Sequence, residues 1–333
     1  MSGFARTALV GLLLLASSVA RAEDTLKATI GVLRLSSSAP VFIAQEKGYF
    51  RDAGLNIELK FFDAAQPIAV ATTSGDVDFG ITAFTAGLFN LAGKGALKVI
   101  GGMSREKPGY PLIGYFASNN AYAAGLKTPK DLAGKRIAVT QVGSSFHYSL
   151  GLLADKYGFK LSDVKIVPLQ SLSIAAAALK GETVDAALLP VSTARKLMDD
   201  GGAKLLGWVG DETPWQLGAV FAAPRTLTNK PLVTKLLAAL GRADREYHDV
   251  ILSAMKDGTT PINEQTKPLL EIIAKYTNLP IEQVVGNCAY IDPDGKLDVG
   301  NVDDQIKWLQ AQGFVDKGFD AEAIIAKDFV KPD

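Results

Sequence analysis

Twice in this chain a short apolar run ends in a serine cluster and passes straight into a helix-like segment. The first instance is VLRLSSSAPV, residues 32–41; the second is VTQVGSSFHY, residues 139–148. The segments downstream of the two clusters also match. After the first, helical spacing over 40–47 stops at Gly48, and 55–61 alternates as a strand does. A helix-like stretch over 67–74 then stops at Gly75, and 77–81 reads as a strand. After the second, 145–157 is helical and stops at Gly158, 164–167 is a strand, 174–180 is helical and stops at Gly181, and 184–189 is a strand. Each half therefore reads βαβαβ by apolar periodicity. A βαβ unit brings its strands parallel through a right-handed crossover. The pattern predicts an α/β fold of two similar domains.

The four glycines fall where a helix wants a left-handed residue to close it. Asp78 and Asp185 follow the last turns of the two halves, where a carboxylate serves to bond turn amides. The small, polar segment 118–125 is expected to cross between the domains, with a second crossing near 211–217. Thr128, Pro129 and Asp131 cap a short helix just after the first. From Asn229 the tail is helical over 229–257, 263–277 and 302–312 and is expected to return to the first domain. The boundaries expected are thus 23–117 with 217–333 for domain 1 and 118–216 for domain 2.

The N-terminus reads separately. Arg6 precedes an apolar stretch over 8–20, and Ala20-Arg21-Ala22 supplies the small-x-small pattern of a secretory signal peptide. The run is short for a bilayer span. Export to the periplasm with cleavage after Ala22 is expected, and no cysteine lies there to take a lipid. The whole chain has 35 basic and 35 acidic residues. Arg6 and Arg21 leave with the leader, so the mature chain is slightly acidic. That balance speaks against nucleic acid as a partner. Its length, about 310 residues, suits two domains. With one cysteine, Cys288, no intramolecular disulfide can form. Its apolar surroundings mark it as a small buried hydrophobe.

In an open parallel sheet, ligands bind beyond the carboxyl ends of the strands. The serine clusters occupy that place in both halves, at helix N-termini whose free N–H groups favour anions. Ser36, Ser37, Ser38 and Pro40 on one side, and Gly143, Ser144 and Ser145 on the other, become the candidate ligand loops. Taken singly, such serines are also ordinary helix caps. Arg34 stands beside the first cluster and either forks onto an anion or snorkels off the strand end. Arg105, in a charged run, ranks behind it. Phe146, Tyr148, Trp208 and Trp215 are the aromatic candidates. Trp215 in a polar loop suits a pocket wall, and Trp208 in an apolar run suits a core. His147 lies at the expected cleft and could donate to an anion.

Little points to catalysis. The chain has two histidines, His147 and His248, and one cysteine, which gives no zinc pattern. It carries no phosphate loop, nucleophile elbow or dinucleotide fingerprint. The stretch DPDGKLD, 292–298, lacks the spacing of a calcium loop and reads as a turn. No cofactor, no metal and no catalytic residue are expected.

SAPVFIAQEKGYF (38–50) followed by AGLNI (53–57), SGDVD (74–78), LKTPKDLAGKR (126–136) and the Gly143-Ser144-Ser145 turn resemble the motifs of a known family. It is the nitrate, sulfonate and taurine group of periplasmic solute-binding proteins, which includes the NMT1/THI5-like pyrimidine-precursor binders. The resemblance covers most of residues 28–190. It implies a class II periplasmic binding protein, hinged by two crossing strands around a cleft. Such a protein would capture a small organic anion, sulfonate- or carboxylate-like, and deliver it as a monomer to an ABC permease in the inner membrane. The alternative within the same fold is a pyrimidine-precursor binder or a pyrimidine-synthase-like enzyme. The cysteine-rich motif of such enzymes is not found in the sequence.

Overall fold

The structure, a computed structural model, describes residues 25–333. The leader 1–22 and the expected cleavage after Ala22 lie outside the described residues.

Apolar runs become strands wherever both faces of a sheet are covered. The chain begins with β1 (Leu26–Leu33), β2 (Leu55–Phe62), β3 (Phe79–Ala83) and β4 (Lys98–Gly102), linked by helices Ala39–Glu46, Ala65–Ser74 and Ala86–Gly93. β5 (Ser104–Glu106) leads out of this sheet. β6 (Ile113–Ala117), β7 (Arg136–Val139), β8 (Lys165–Pro168), β9 (Ala186–Pro190) and β10 (Lys204–Trp208) come next, with helices Ser145–Tyr157, Leu172–Lys180 and Val191–Asp199. β11 (Trp215–Gln216) and β12 (Gly218–Ala222) return the chain, and β13 (Tyr290–Ile291) comes late in the helical tail.

Two five-stranded sheets result, ordered β2-β1-β3-β12-β4 and β10-β6-β9-β7-β8. In the first, β1 runs parallel to β2 and β3. In the second, β7 runs parallel to β8 and β9. One strand next to an edge of each sheet is antiparallel to both its neighbours, and each is supplied by a crossing: β12 in the first, β6 in the second. The lobes therefore share one topology, as the repeat implied, but it is larger than βαβαβ. The added strands β6 and β12 are buried at every residue and carry no polar alternation, which hides them from a period-2 reading.

The first crossing also differs from expectation. Residues 118–125 include a short helix, Asn119–Ala123, beyond β6, and the chain has already entered the second sheet at Ile113. It passes between the lobes through β5, which pairs with β11 and β13 in a small antiparallel sheet. The second crossing, through β11, falls inside the expected stretch.

Asp78 and Asp185 play matching parts, though not on turn amides. Asp78 accepts the amide and hydroxyl of Thr29 on β1 at 2.7 and 3.0 Å. Asp185 accepts the amide of Arg136 on β7 at 2.8 Å and pairs with its guanidinium at 2.9 Å. Asp78, just before β3, thus pins β1 at its middle, and Asp185, just before β9, pins β7 at its start. Gly48, Gly75 and Gly158 are left-handed, whereas Gly181 is not (φ −79°); Glu182 takes that conformation there (φ 58°).

The tail covers the first lobe. Helices Lys230–Tyr247 and Lys267–Thr277 pack on Ala39–Glu46. Val302, Ile306 and Leu309 of Val299–Ala311 pack with Phe84 and Phe89. Cys288 is fully buried, and burial pushes its thiol up to about 11. Asp292 accepts the amides of Asp294 and Lys296 on one carboxylate oxygen, closing a turn.

Candidate functional site

The carboxyl ends of β1, β3, β7 and β9 face one another across a cavity of about 50 Å³ between the lobes. That is room for roughly three to five water-sized groups by the usual requirement of about 10–15 Å³ each. Six hydroxyl side chains line it. Ser37 and Ser38 come from the first helix entry, Thr82 from the end of β3, Ser104 from β5, Thr140 from the end of β7, and Ser145 from the second-lobe helix. Leu33, Leu35, Phe146, Leu172 and Leu217 supply much of the apolar wall. Among the described residues, no lysine, arginine, histidine or carboxylate lines this cavity.

The serine clusters arrive as helix entries. Ser36–Ser38 forms a single 3-10 turn before Ala39–Glu46, with Pro40 in its first turn. Ser144 caps Ser145–Tyr157, its hydroxyl accepting the His147 amide at 3.3 Å. Gly143 sits at φ +76°, and its carbonyl accepts the Ala86 amide of the other lobe at 2.8 Å. A side chain there would meet the Ala86 Cβ at 2.7 Å, so the lobes touch at a point where only glycine fits.

Of the residues expected from sequence, Ser37, Ser38, Ser145 and Phe146 line the cavity. Ser36 lies behind it, donating to Asn287 Oδ1 at 2.7 Å and tying the loop to the tail. Pro40 lines a smaller void of about 20 Å³ that shares Ser37 and Met103 with the main one. Gly143 and Ser144 build the second loop without lining the cavity. The Gly143 amide, expected to meet an anion, donates instead to His147 Nδ1 at 3.1 Å. His147 is buried against Trp308 and Phe314, and burial holds its imidazole below the usual value. It is a neutral support for the loop.

Arg34 is placed elsewhere. It is exposed, lies 3.7 Å over the Phe61 ring and donates to the Tyr276 carbonyl at 3.2 Å. Arg105 is also turned away, bonded to Asp333 at 2.6 Å and to the Lys296 carbonyl at 3.0 Å. Trp215, read as a loop residue, belongs to β11 and packs edge-on against Tyr148 at 5.0 Å, outside the cavity lining. Trp208 is half-buried at a sheet edge against Phe116.

Thr82, Ser104 and Thr140 were missed by sequence reasoning. Thr82 and Thr140 stand at or just past the ends of apolar strands, where the carboxyl-end rule points if applied to every strand rather than to the first of each half. Thr82 is 2% exposed, and its hydroxyl is buried without a hydrogen-bond partner.

The sequence model described as NMT1/THI5 like matches residues 36–244. The chain belongs to the NMT1/THI5-like family. Among curated relatives, the taurine-binding periplasmic protein of Escherichia coli is 31% identical over 169 residues, 50% of this chain and 49% of that protein. The chain thus aligns with about half the length of that relative. Among solved structures, the MOPS-bound alkanesulfonate-binding protein SsuA of Xanthomonas axonopodis pv. citri superposes with TM-score 0.70 at 22% identity, covering 93% of this chain and 100% of that one. The periplasmic nitrate-binding protein NrtA of Synechocystis PCC 6803 superposes with TM-score 0.69 at 15% identity, covering 92% and 86%. At such identities these likenesses establish the fold, that of periplasmic binding proteins. The NMT1/THI5-like match includes both serine clusters and most of the cavity wall. Among the described residues no helix is long and apolar enough to cross a membrane.

Proposed function

We infer that the protein is the periplasmic solute-binding component of an ABC importer. It takes a small organic anion, sulfonate- or carboxylate-like, into the interlobe cavity and passes it, as a monomer, to a membrane permease. The observation that carries this reading is the Thr82 hydroxyl, buried and unpartnered in a cavity ringed by five more hydroxyls. A buried donor without an acceptor is costly, and a ligand oxygen would satisfy it. Neutral hydroxyls and helix N-termini can hold an anion without a cationic side chain. The apolar wall suits a short carbon tail. The relatives named for taurine, alkanesulfonate and nitrate lend support to the anion.

A cavity without a titratable side chain offers no general acid or base, which favours binding over the pyrimidine-synthase-like alternative. Calorimetry against alkanesulfonates, aliphatic and aromatic carboxylates, nitrate and pyrimidines is expected to give one-to-one binding of an anion, recovered unchanged. Binding confined to pyrimidines, or any turnover, would refute it.

Thr82→Val separates a ligand contact from a structural one. Valine keeps the shape and removes the hydroxyl. Affinity is expected to fall by about two- to tenfold, the worth of one neutral hydrogen bond of about 0.5–1.5 kcal/mol. The ligand-free melting temperature should hold or rise, because no internal bond is lost. A drop in melting temperature with unchanged affinity would make Thr82 structural.

A further inference from the structure

The small sheet between the lobes holds an ionisable group without a partner. Glu106 ends β5, faces Trp215 across the ladder and is 1% exposed. Neither carboxyl oxygen makes a hydrogen bond. The amides of Gly210 and Ile113 approach it without reaching hydrogen-bond geometry. In the adjoining segment that returns through β11, Thr213 Oγ1 and Trp215 Nε1 are likewise buried with no partner.

Among the described residues no cation answers Glu106. Asp211, in the short helix Val209–Glu212, faces it with like charge. Tyr115 on β6 gives its hydroxyl to the Ser149 carbonyl. Glu212 is engaged by Lys156 and Tyr157 at 2.6 and 2.5 Å. On the Glu106 strand itself, Arg105 is bonded to Asp333, and Lys107 lies 3.8 Å over the Tyr290 ring of β13. A carboxylate shut into such surroundings is strongly disfavoured against the acid. The position matters because β5 joins the lobes, and hinge closure is a rotation about such joining segments.

We propose that Glu106 is a proton-linked latch of the hinge: with the lobes together its carboxyl is held as the neutral acid, and opening admits water and lets it ionise. Closure then takes up one proton. The latch rests on the hinged-cleft reading of the protein and on no particular ligand. Its sign is set by linkage. In an open hinge the carboxyl titrates near the ordinary value of about 4.3; in the closed one, burial and then Asp211 hold it well higher. Below both values pH has no effect. Between them, each unit of rising pH lowers the closed-to-open ratio up to about tenfold. Above both, the effect ends. A binding protein built this way would grip more tightly in an acidified surrounding and loosen as pH rises.

The test needs no ligand, so its failure is distinct from failure of the anion assignment. Small-angle scattering and tryptophan fluorescence of the ligand-free protein would be followed from pH 5 to 9. The wild type is expected to expand with rising pH in a one-proton transition. Glu106→Gln, isosteric and never ionised, should stay at one radius throughout. Asp211→Asn, which removes the like charge and keeps an oxygen for the Gly109 amide, lowers only the closed-state value, so its closed-to-open ratio should stop falling at a lower pH than the wild type's; it also serves should Glu106→Gln fail to fold by circular dichroism. A wild-type radius constant across the range overturns the latch. So does a Glu106→Gln protein that behaves as the wild type does, or an Asp211→Asn protein whose ratio goes on falling to as high a pH as the wild type's.

Discussion

Replacing Gly143 with alanine is expected to weaken ligand binding by about five- to hundredfold while the protein remains folded. Two effects combine, and they separate cleanly. A left-handed conformation costs an alanine about 1–2 kcal/mol in any state of the hinge, so it lowers the melting temperature and not the affinity. The new Cβ meets the Ala86 Cβ at 2.7 Å, and that contact exists when the lobes are together. Overpacking of this kind costs about 1–3 kcal/mol, all of it set against the closed state and hence against binding. Ala86→Gly in the same chain removes the clash and leaves the strain. It is expected to restore most of the affinity and little of the lost stability. Calorimetric titration and thermal melts of the two single variants and the double variant provide the check. If Gly143→Ala binds as the wild type does, the Ala86–Gly143 contact is not part of the ligand-bound state.

The second large effect is on stability. Phe42 is fully buried and stacks on Tyr276 with centroids 4.5 Å apart and planes 4° apart. Around this pair Tyr276 donates its hydroxyl to Glu46 at 2.6 Å, Lys275 pairs with Glu46 at 2.8 Å, and Arg34 bonds the Tyr276 carbonyl. Together they fasten helix Lys267–Thr277 to Ala39–Glu46, the helix that follows the first serine cluster of the cavity. Phe42→Ala is expected to cost about 3–5 kcal/mol as a large aromatic cavity. In a lobe of this size that lowers the melting temperature by roughly 6–20 °C. A differential scanning trace with a shift below about two degrees would mean the tail is held by other contacts.

The two lobes were legible because their apolar runs, glycine stops and serine clusters repeat in order. The strands that complete each sheet were not. β6 and β12 are apolar at both faces, and their partners are distant in sequence. The serine clusters identified the walls of the cavity but not its floor, since Thr82 and Ser104 sit where no cluster marks them. Of the two readings open to Arg34, direction decided for the one off the strand end. Position at a strand end fixes the backbone and leaves a long side chain free to choose, and the Phe61 ring and the Tyr276 carbonyl, from segments far along the chain, decided the choice. Trp215 read as a loop residue and pocket wall in a stretch of Thr, Pro and Gln. Two residues of strand pairing with Arg105 and Glu106 bury it, and so short a strand leaves no periodicity to read.

The interleaving of the sheets sets an order of assembly. The strands of the second sheet, β6 to β10, are consecutive in the chain, so that lobe is complete as soon as residue 208 is available. The first sheet begins earlier and finishes later. β12 belongs between β3 and β4, and until residues 218–222 arrive those two strands have an unfilled gap between them. A chain that emerges from its N-terminus thus carries an unfinished first lobe through the whole formation of the second. Long-range pairing of this kind is slow to form, and exposed strand edges invite pairing with other chains. The lobe made first is therefore the lobe folded last, and β12 is the piece whose delay would leave the nascent protein most open to aggregation.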